Sequence, residues 1–227
     1  MRYPGGKGKT YQHVINLMPP HRVYIETHLG GGSVMRRKRP ATRNIGIDVD
    51  VRAISGWSGE GVPSVEVVHG RAEDFLAGYE FHGDELVYSD PPYHPQTRRQ
   101  ARVYRWDYSD EDHEMLLGLL VSLPCMAIIS GYANSLYRDS LVGWHTRTFQ
   151  AKTHTGVREE TLWFNFEPPN ILHDSRYLGA NFRARQVAKR RLQRLQEKFR
   201  RMDPIERAAF SQWLNETYPC EFQSGAR

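Results

Sequence analysis

Short continuous apolar runs recur along the first 170 residues, separated by longer amphipathic stretches. Val23–Glu26, Ile45–Asp48, Val65–Val68, Glu85–Ser89 and Cys125–Ser130 read as strands. Several lack polar alternation, which is the pattern of strands covered on both faces. Between them lie helical stretches. The clearest start is Ser109-Asp110-Glu111-Asp112 ahead of Met115-Leu116-Leu117, a capping-box pattern with Ser109 as cap. Two later strands follow, His145–Gln150 and Glu160–Phe166. The βαβα order with a late hairpin predicts an α/β, doubly wound, mostly parallel sheet with ligands at the carboxyl ends of its strands. Glu167-Pro168-Pro169-Asn170 closes this region, so the chain divides into a sheet domain over 1–170 and a tail over 171–227. In the tail, Gly179–Arg201 has helical spacing at Val187, Leu192, Leu195 and Phe199. Asp203-Pro204 then opens a second helix with an apolar face at Ile205, Ala208, Ala209, Trp213 and Leu214. The prediction is a helical hairpin.

Composition narrows the class. The 227 residues are 39% hydrophobic and 25% charged, which is the balance of a folded domain with a real core. No apolar run is long enough to span a bilayer, and Met1–Lys7 has no signal-peptide core. Cys125 and Cys220 make neither a disulfide framework nor a metal spacing, and no His stands in a zinc motif. A cytoplasmic protein without a metal site and without a membrane partner is the expectation. The net charge of +5 is unevenly placed. Residues 174–227 carry 12 Lys/Arg against 6 Asp/Glu, so the rest of the chain is near neutral. Arg183–Arg201 holds nine basic residues and one acid, Glu197. One-signed charge on one segment attracts a polyanion; a solvated helix face is the plain alternative.

The chemistry concentrates in two loops. Asp90-Pro91-Pro92-Tyr93 follows the strand Glu85–Ser89 and so stands at a strand's carboxyl edge. Two prolines remove backbone donors and stiffen the loop. They leave a fixed carboxylate, outward carbonyls and an aromatic ring. That set suits a flat amino-bearing base: carboxylate and carbonyl accept the amino protons while the ring stacks. For the tetrapeptide alone, a turn with an incidental tyrosine is the competing reading. The second loop, His28-Leu29-Gly30-Gly31-Gly32-Ser33, runs from the strand ending at Glu26 and is read as opening a helix. Glycines admit a ligand close to the backbone. Met35 stands where a dinucleotide fingerprint needs a third small residue. Asp48, eighteen residues past Gly30, can hold ribose hydroxyls or cap the helix that begins at Val51. Gly5-Gly6-Lys7-Gly8-Lys9-Thr10 ends like a phosphate-binding loop, but Tyr3 occupies the place of its first glycine and no strand precedes it.

Taken in order, Tyr3-Pro4-Gly5-Gly6-Lys7, Glu26 with Gly30-Gly31-Gly32, Asp48, Asp74-Phe75 and Asp90-Pro91-Pro92-Tyr93 resemble the motifs of the Dam-like (D12 class) DNA adenine-N6 methyltransferases. Tyr93-His94-Pro95, Arg98-Arg99, Tyr104, Asp110, Asp112-His113, Leu116, Ser130-Gly131-Tyr132 and Glu160-Thr161-Leu162-Trp163 resemble their phage and prophage members. The likeness covers about residues 2–166. It implies a Rossmann-like methyltransferase sheet over 1–170 and S-adenosylmethionine as methyl donor. It assigns Tyr3, Gly6, Lys7, Glu26, His28, Gly30, Gly31 and Gly32 to the cofactor side, with Lys7 and the glycine loop toward the methionine part. Asp48 would hold the ribose, and Asp74 with Phe75 would meet the adenine. Asp90, Pro91, Pro92 and Tyr93 would grip the target base. The family's Pro-Phe after the motif acid is replaced here by Thr27-His28. The recognition insert of larger members is absent, since Asp74 and Asp90 are only sixteen apart.

The resemblance implies transfer of a methyl group to N6 of a flipped-out adenine in double-stranded DNA. An acid in the first position of the tetrapeptide favours adenine; serine there would favour cytosine N4. The alternatives are a catalytically inactive nucleic-acid-binding module, or the same chemistry on RNA or on cytosine N4. Arg98, Arg99, Arg102, Tyr104 and Arg105 form a loop expected at the mouth of the site, and Lys152–Arg158 is a second contact candidate. Arg190 and Arg194 on the tail are expected to add affinity for phosphates. The family includes partners of restriction systems, but no nuclease motif stands in this chain. Cys125, Trp163 and Phe166 read as core, and His113, early in an amphipathic helix, as structural rather than catalytic.

Overall fold

The computed structural model describes residues 8, 10–57, 65–97, 106–153 and 156–219. Seven strands form one sheet: β1 Val23–Glu26, β2 Arg43–Asp48, β3 Val65–His69, β4 Glu85–Ser89, β5 Met126–Gly131, β6 His145–Thr153 and β7 Gly156–Phe164. Their order is β3-β2-β1-β4-β5-β7-β6. The first five run parallel, while β7 runs antiparallel to both β5 and β6. This is the expected Rossmann-like arrangement with a late hairpin.

Alternate residues of the central strands feed two cores. Tyr24, Leu86, Tyr88, Ile128, Leu162 and Phe164 pack on one face, with Val14 and Ile15 of α1 (Tyr11–Ile15) and with Met18. Ile25, Ile45, Ile47, Val87, Ile129 and Trp163 pack on the other. That second face is covered by α3 (Ala72–Gly78), α4 (Asp110–Ser122) and α5 (Ser135–Ser140) through Leu76, Leu116, Leu117, Leu120 and Tyr137. Burial on both faces is why the strands read as unbroken apolar runs. The capping box forms as expected: Asp112 N–H donates to Ser109 Oγ at 3.2 Å and Ser109 N–H to Asp112 Oδ2 at 2.9 Å. Cys125 is buried and burial pushes its thiol up to about 12, which suits a packing residue.

Strand order reverses between β1 and β4. The chain leaves β1 toward β2 and β3 on one side, and leaves β4 toward β5 on the other. Connections therefore diverge at the carboxyl ends of β1 and β4 and open a crevice there. Glu26 pairs with Tyr88 across these two strands, so the loops that begin at Thr27 and at Asp90 start side by side.

The chain stays attached to the sheet domain beyond residue 170. Asp174, 3% exposed, accepts from Arg39 N–H at 2.8 Å and from the Arg176 guanidinium. His173 N–H donates to the Met18 carbonyl, and the His173 ring stacks on His21 with centroids 3.9 Å apart. The tail proper is α6 (Phe182–Arg200) and α7 (Pro204–Thr217), capped by Asn181 and Asp203. The two helices meet through the Phe199 and Phe210 rings, 6.0 Å apart. The apolar positions that predict a closed hairpin remain open: Val187, Leu195, Ile205 and Trp213 are all exposed. Among the described residues no helix is long and apolar enough to cross a membrane, and no cluster of His, Cys, Asp and Glu could hold a metal ion.

Candidate active site at the carboxyl edge of the sheet

The crevice at the strand reversal is a cleft of about 1030 Å³ counted out to its open mouth. One wall is the segment Glu26–Val34 with Asp48 and Val49; the other is Asp90–Tyr93. Gly70, Arg71 and Ala72 close one end, and Trp106, Asp107, Tyr108 and Asp112 lie across it.

The glycine loop is held from beneath. Gly30 and Gly32 adopt positive φ of 48° and 57°, a region that side chains with a Cβ disfavour. Gly30 N–H donates to Asp48 Oδ2 at 2.6 Å, and Asp50 N–H donates to Asp48 Oδ1 at 2.8 Å. Asp48 thus ties the end of β2 to the loop after β1 while its carboxylate lines the cleft. The helix α2 (Val51–Ser55) is capped by Asp50, whose side chain accepts from Arg52 N–H. Asp48 is therefore not that helix's cap. The expected helix after the glycines is not regular. Arg36 N–H reaches the Gly32 carbonyl and Lys38 N–H the Val34 carbonyl, but turns replace a helix. Pro40 bars helix from continuing past Arg39.

Glu26 is buried at the loop's root. Its Oε2 accepts from the Tyr24 hydroxyl at 3.0 Å and from Met35 N–H at 2.9 Å. Burial pushes this carboxyl up to about 8, with the Asp90 charge adding to the rise. Lys38 is buried close by. Its ammonium donates to the Asn44 side chain and the Arg39 carbonyl and lies 4.2 Å from the Tyr24 ring centre, while burial pulls its pKa down to about 7.

On the opposite wall, Asp90 Oδ1 accepts from Ser130 Oγ at 2.7 Å, and Ser130 Oγ lies 3.0 Å from the Tyr88 hydroxyl. Ser130 stands near the end of β5, the strand beside β4. The neighbouring strand end therefore orients the carboxylate. The Tyr93 ring packs on Tyr132, centroids 4.3 Å apart.

A polar chain ties the first wall to the segments that close the cleft. His28 Nε2 is 2.9 Å from the Tyr108 hydroxyl, which donates to Glu73 Oε1 at 2.6 Å. Glu73 pairs with Arg71, and Arg71 reaches Asp112 at 2.6 Å. His28 Nδ1 lies near Thr27 Oγ1 and Ser89 Oγ. Burial pulls His28 down to about 4, overriding the opposing pull of Asp90, so it is neutral at pH 7.

Glu26, His28, Gly30, Gly31, Gly32, Asp48, Asp90, Pro91, Pro92 and Tyr93 are all brought to this one cleft. Asp74 and Phe75 are not. Asp74 is exposed on α3, and Phe75 packs into the core beside Tyr79. The residues after β3 that line the cleft are Gly70, Arg71 and Ala72. The strand-edge rule that located Asp48 and Asp90 points to Gly70–Ala72 as well. The sequence marks Ser130 only as part of the Ser130-Gly131-Tyr132 resemblance, without a role, and Tyr108 and Trp106 have no signal of their own; folding brings all three here. Tyr3, Gly6, Lys7, Arg98, Arg99, Arg102, Tyr104 and Arg105 lie outside the described residues. Arg190 and Arg194 lie along α6, beside Val187, Glu197 and Arg200 on an open surface.

No family model and no curated protein matches the chain. Solved structures do. An rRNA methylase from Streptococcus thermophilus aligns with a TM-score of 0.45 and 11% identity, over 72% of this chain and 97% of its own. The O-methyltransferase TomG from Streptomyces achromogenes, solved in complex with SAM, aligns at 0.46 and 17%, over 69% of this chain and 78% of its own. The E. cuniculi Mtq2–Trm112 complex, responsible for methylation of the eRF1 translation termination factor, aligns at 0.48 and 13%, over 71% of this chain and 96% of its own.

Proposed function

We propose that this chain is an S-adenosylmethionine-dependent methyltransferase of the Dam-like class, acting on N6 of an adenine flipped out of DNA. One observation carries the reading. A glycine loop braced by Asp48 and a stiff Asp-Pro-Pro-Tyr loop face each other across a single cleft at the strand reversal.

The lining fits the donor. S-adenosylmethionine, when bound, supplies a methyl group on a positively charged sulfur. Asp48, Asp90, Asp107 and Asp112 line the cleft, against the single guanidinium of Arg71 among the described lining residues, which pairs with Asp112; the Glu26 carboxyl, pushed up to about 8, is neutral at pH 7 and adds no charge. Such a lining favours a cation and disfavours a nucleotide polyphosphate. Asp48 retains lone pairs for ribose hydroxyls beyond the two backbone donors it already satisfies. The Gly30–Gly32 backbone would lie against the methionine part, and Gly70–Ala72 against the adenine.

The exocyclic nitrogen of adenine is a poor nucleophile, because its lone pair is shared with the ring. Asp90, held by Ser130, and the carbonyl of Pro91 would accept its two protons and localise that pair toward the methyl group. Orientation of this kind supplies on the order of 7–11 kcal/mol in favourable cases. Tyr93 would stack on the everted base. As the N6–methyl bond forms, the methyl–sulfur bond of the donor would break to leave a neutral thioether, and the extra proton on N6 would then pass to water.

The test is incubation of a DNA of known sequence with the protein and labelled donor, followed by mapping and base analysis. Label on N6-methyladenine is expected, and Asp90→Ala is expected to lower turnover by at least about 100-fold, the scale of losing a group that acts in the transition state. Near-normal turnover in that variant would refute the role of Asp90. Label found on cytosine N4 or only on RNA would move the assignment to those substrates. Donor binding without transfer to any nucleic acid would point to the inactive module.

A further inference from the structure

Tyr93 does not stand alone at the mouth of the cleft. Three adjacent strands each place one group there. Tyr93 follows β4, Tyr132 follows β5, and Arg158 lies on β7, beyond the last β5 pairing at Gly131 and Thr161. The Tyr93 and Tyr132 centroids are 4.3 Å apart with rings tilted by 34°. The Arg158 guanidinium carbon lies 3.6 Å from the Tyr132 ring centre. Two bodies at these distances from one ring need a face each, so Tyr132 is sandwiched. It is also only 6% exposed, although it stands at the sheet's edge.

Arg158 has a second attachment. Its Nη2 donates to the Thr97 carbonyl at 2.7 Å. Thr97 ends the short turn Pro95–Thr97, which is fastened to the His94 carbonyl through the Thr97 amide and hydroxyl, at 2.9 and 2.8 Å. One guanidinium therefore braces Tyr93 from both directions: through the Tyr132 ring, and through the backbone that leaves the tetrapeptide. A guanidinium does both at once because it is flat enough to stack while its edge still donates.

We propose that Tyr132 and Arg158 are positioning residues for the target base, fixing the Tyr93 ring as a pre-set stacking platform. This rests on reading Asp90–Tyr93 as the base grip. It gives the β6–β7 hairpin, where the sequence marks Lys152–Arg158 only as a contact candidate, a part in accepting the base.

Once the modified adenine is mapped, 2-aminopurine placed there reports eversion by fluorescence. Wild type, Arg158→Ala, Arg158→Lys and Tyr132→Phe are compared for that signal, for kcat and KM toward DNA, for donor affinity by calorimetry and for Tm. Arg158→Ala is expected to lower kcat/KM for DNA roughly 3- to 30-fold, the fold equivalent of a desolvated cation–π contact, and to reduce the fluorescence change. Donor affinity should stay within about twofold, since Arg158 does not line the cofactor cleft. Arg158→Lys should recover part of the loss, because an ammonium can still sit over the ring, and Tyr132→Phe should stay near wild type. Unchanged kcat/KM and fluorescence in Arg158→Ala would overturn the positioning role alone. So would losses that track Tm and donor affinity without recovery by lysine. Wild type that leaves adenine unmethylated would overturn the base grip and this inference together.

Discussion

Gly32→Ala tests how tightly the glycine wall of the cleft is built. Gly32 has φ +57°, and a Cβ placed there falls 1.7 Å from Cζ2 and 2.5 Å from Cη2 of Trp57. The indole is not loose: its Nε1 donates to the Gly30 carbonyl at 3.2 Å, and the Arg36 guanidinium lies 4.0 Å from its ring centre. Two costs follow. Left-handed backbone in a residue with a Cβ costs about 1–2 kcal/mol. Relieving the clash means displacing a held side chain, about 1–3 kcal/mol. The sum is about 2–5 kcal/mol, which for a chain of this size lowers Tm by roughly 4–20 °C. Urea unfolding of wild type, Gly32→Ala, Trp57→Ala and the double variant separates the costs. With Trp57 truncated only the backbone cost remains, so the cycle should give a coupling of about 1–3 kcal/mol. Additive effects, or a loss below about 0.5 kcal/mol in the single variant, would refute the picture of Trp57 as the wall behind the loop.

Three further outcomes follow from the same geometry. His28 is buried neutral with its pKa pulled to about 4, so the unfolded chain binds more protons below pH 6.5 and stability falls as pH drops from 6.5 toward 4. The fall from this group is about 3 kcal/mol in total; His28→Gln should flatten that part of the acid limb in urea titrations at pH 7 and 4.5, and an unchanged limb would count against a buried neutral ring. Tyr108→Phe removes the hydroxyl that joins His28 to the buried Glu73 carboxylate, and should cost about 1–3 kcal/mol in the same unfolding assay. For DNA binding, Arg190→Gln with Arg194→Gln should make the slope of log K against log salt shallower by about 1.8 if each meets a phosphate; fluorescence anisotropy across a salt series reads this, and an identical slope would leave α6 as plain surface.

What the sequence made legible follows from how local each signal is. β1 and β4 begin and end where their apolar runs do, because both faces of those strands are covered. β2 starts two residues earlier than its apolar run, at Arg43. Asn44 looks like a loop residue in sequence, yet it is buried and its side chain serves Lys38 and the Ala41 amide. A buried polar group with tertiary partners leaves no periodic trace. The same limit applies at the site. The glycine and Asp-Pro-Pro-Tyr loops are contiguous and could be read directly. The bridge from His28 to Tyr108 spans 80 residues, and its next step to Glu73 spans 35. At Asp74 the difficulty was one of reach. The motif lies on the right helix, but its first residues, not its third, meet the cleft. In the tail, helical periodicity correctly marked α6 and α7 but not their partner: periodicity records an apolar face, not what covers it.

The distribution of charge bears on which acceptor the cleft can take. Its described lining carries an excess of carboxylates, and Asp90 stands among them. A phosphate drawn into that space would meet several like charges at low dielectric, a cost of several kcal/mol. A neutral base meets none of this, since its amino group donates to the same carboxylates. Arg71 pairs with Asp112 in the lining, and other cationic groups lie elsewhere: Arg36 stacked on Trp57, Arg158 at the hairpin edge, and the row along α6. An acceptor with anionic backbone and uncharged bases would fit this division only with its backbone outside and one base inserted. That division is what the proposed eversion of a single base requires.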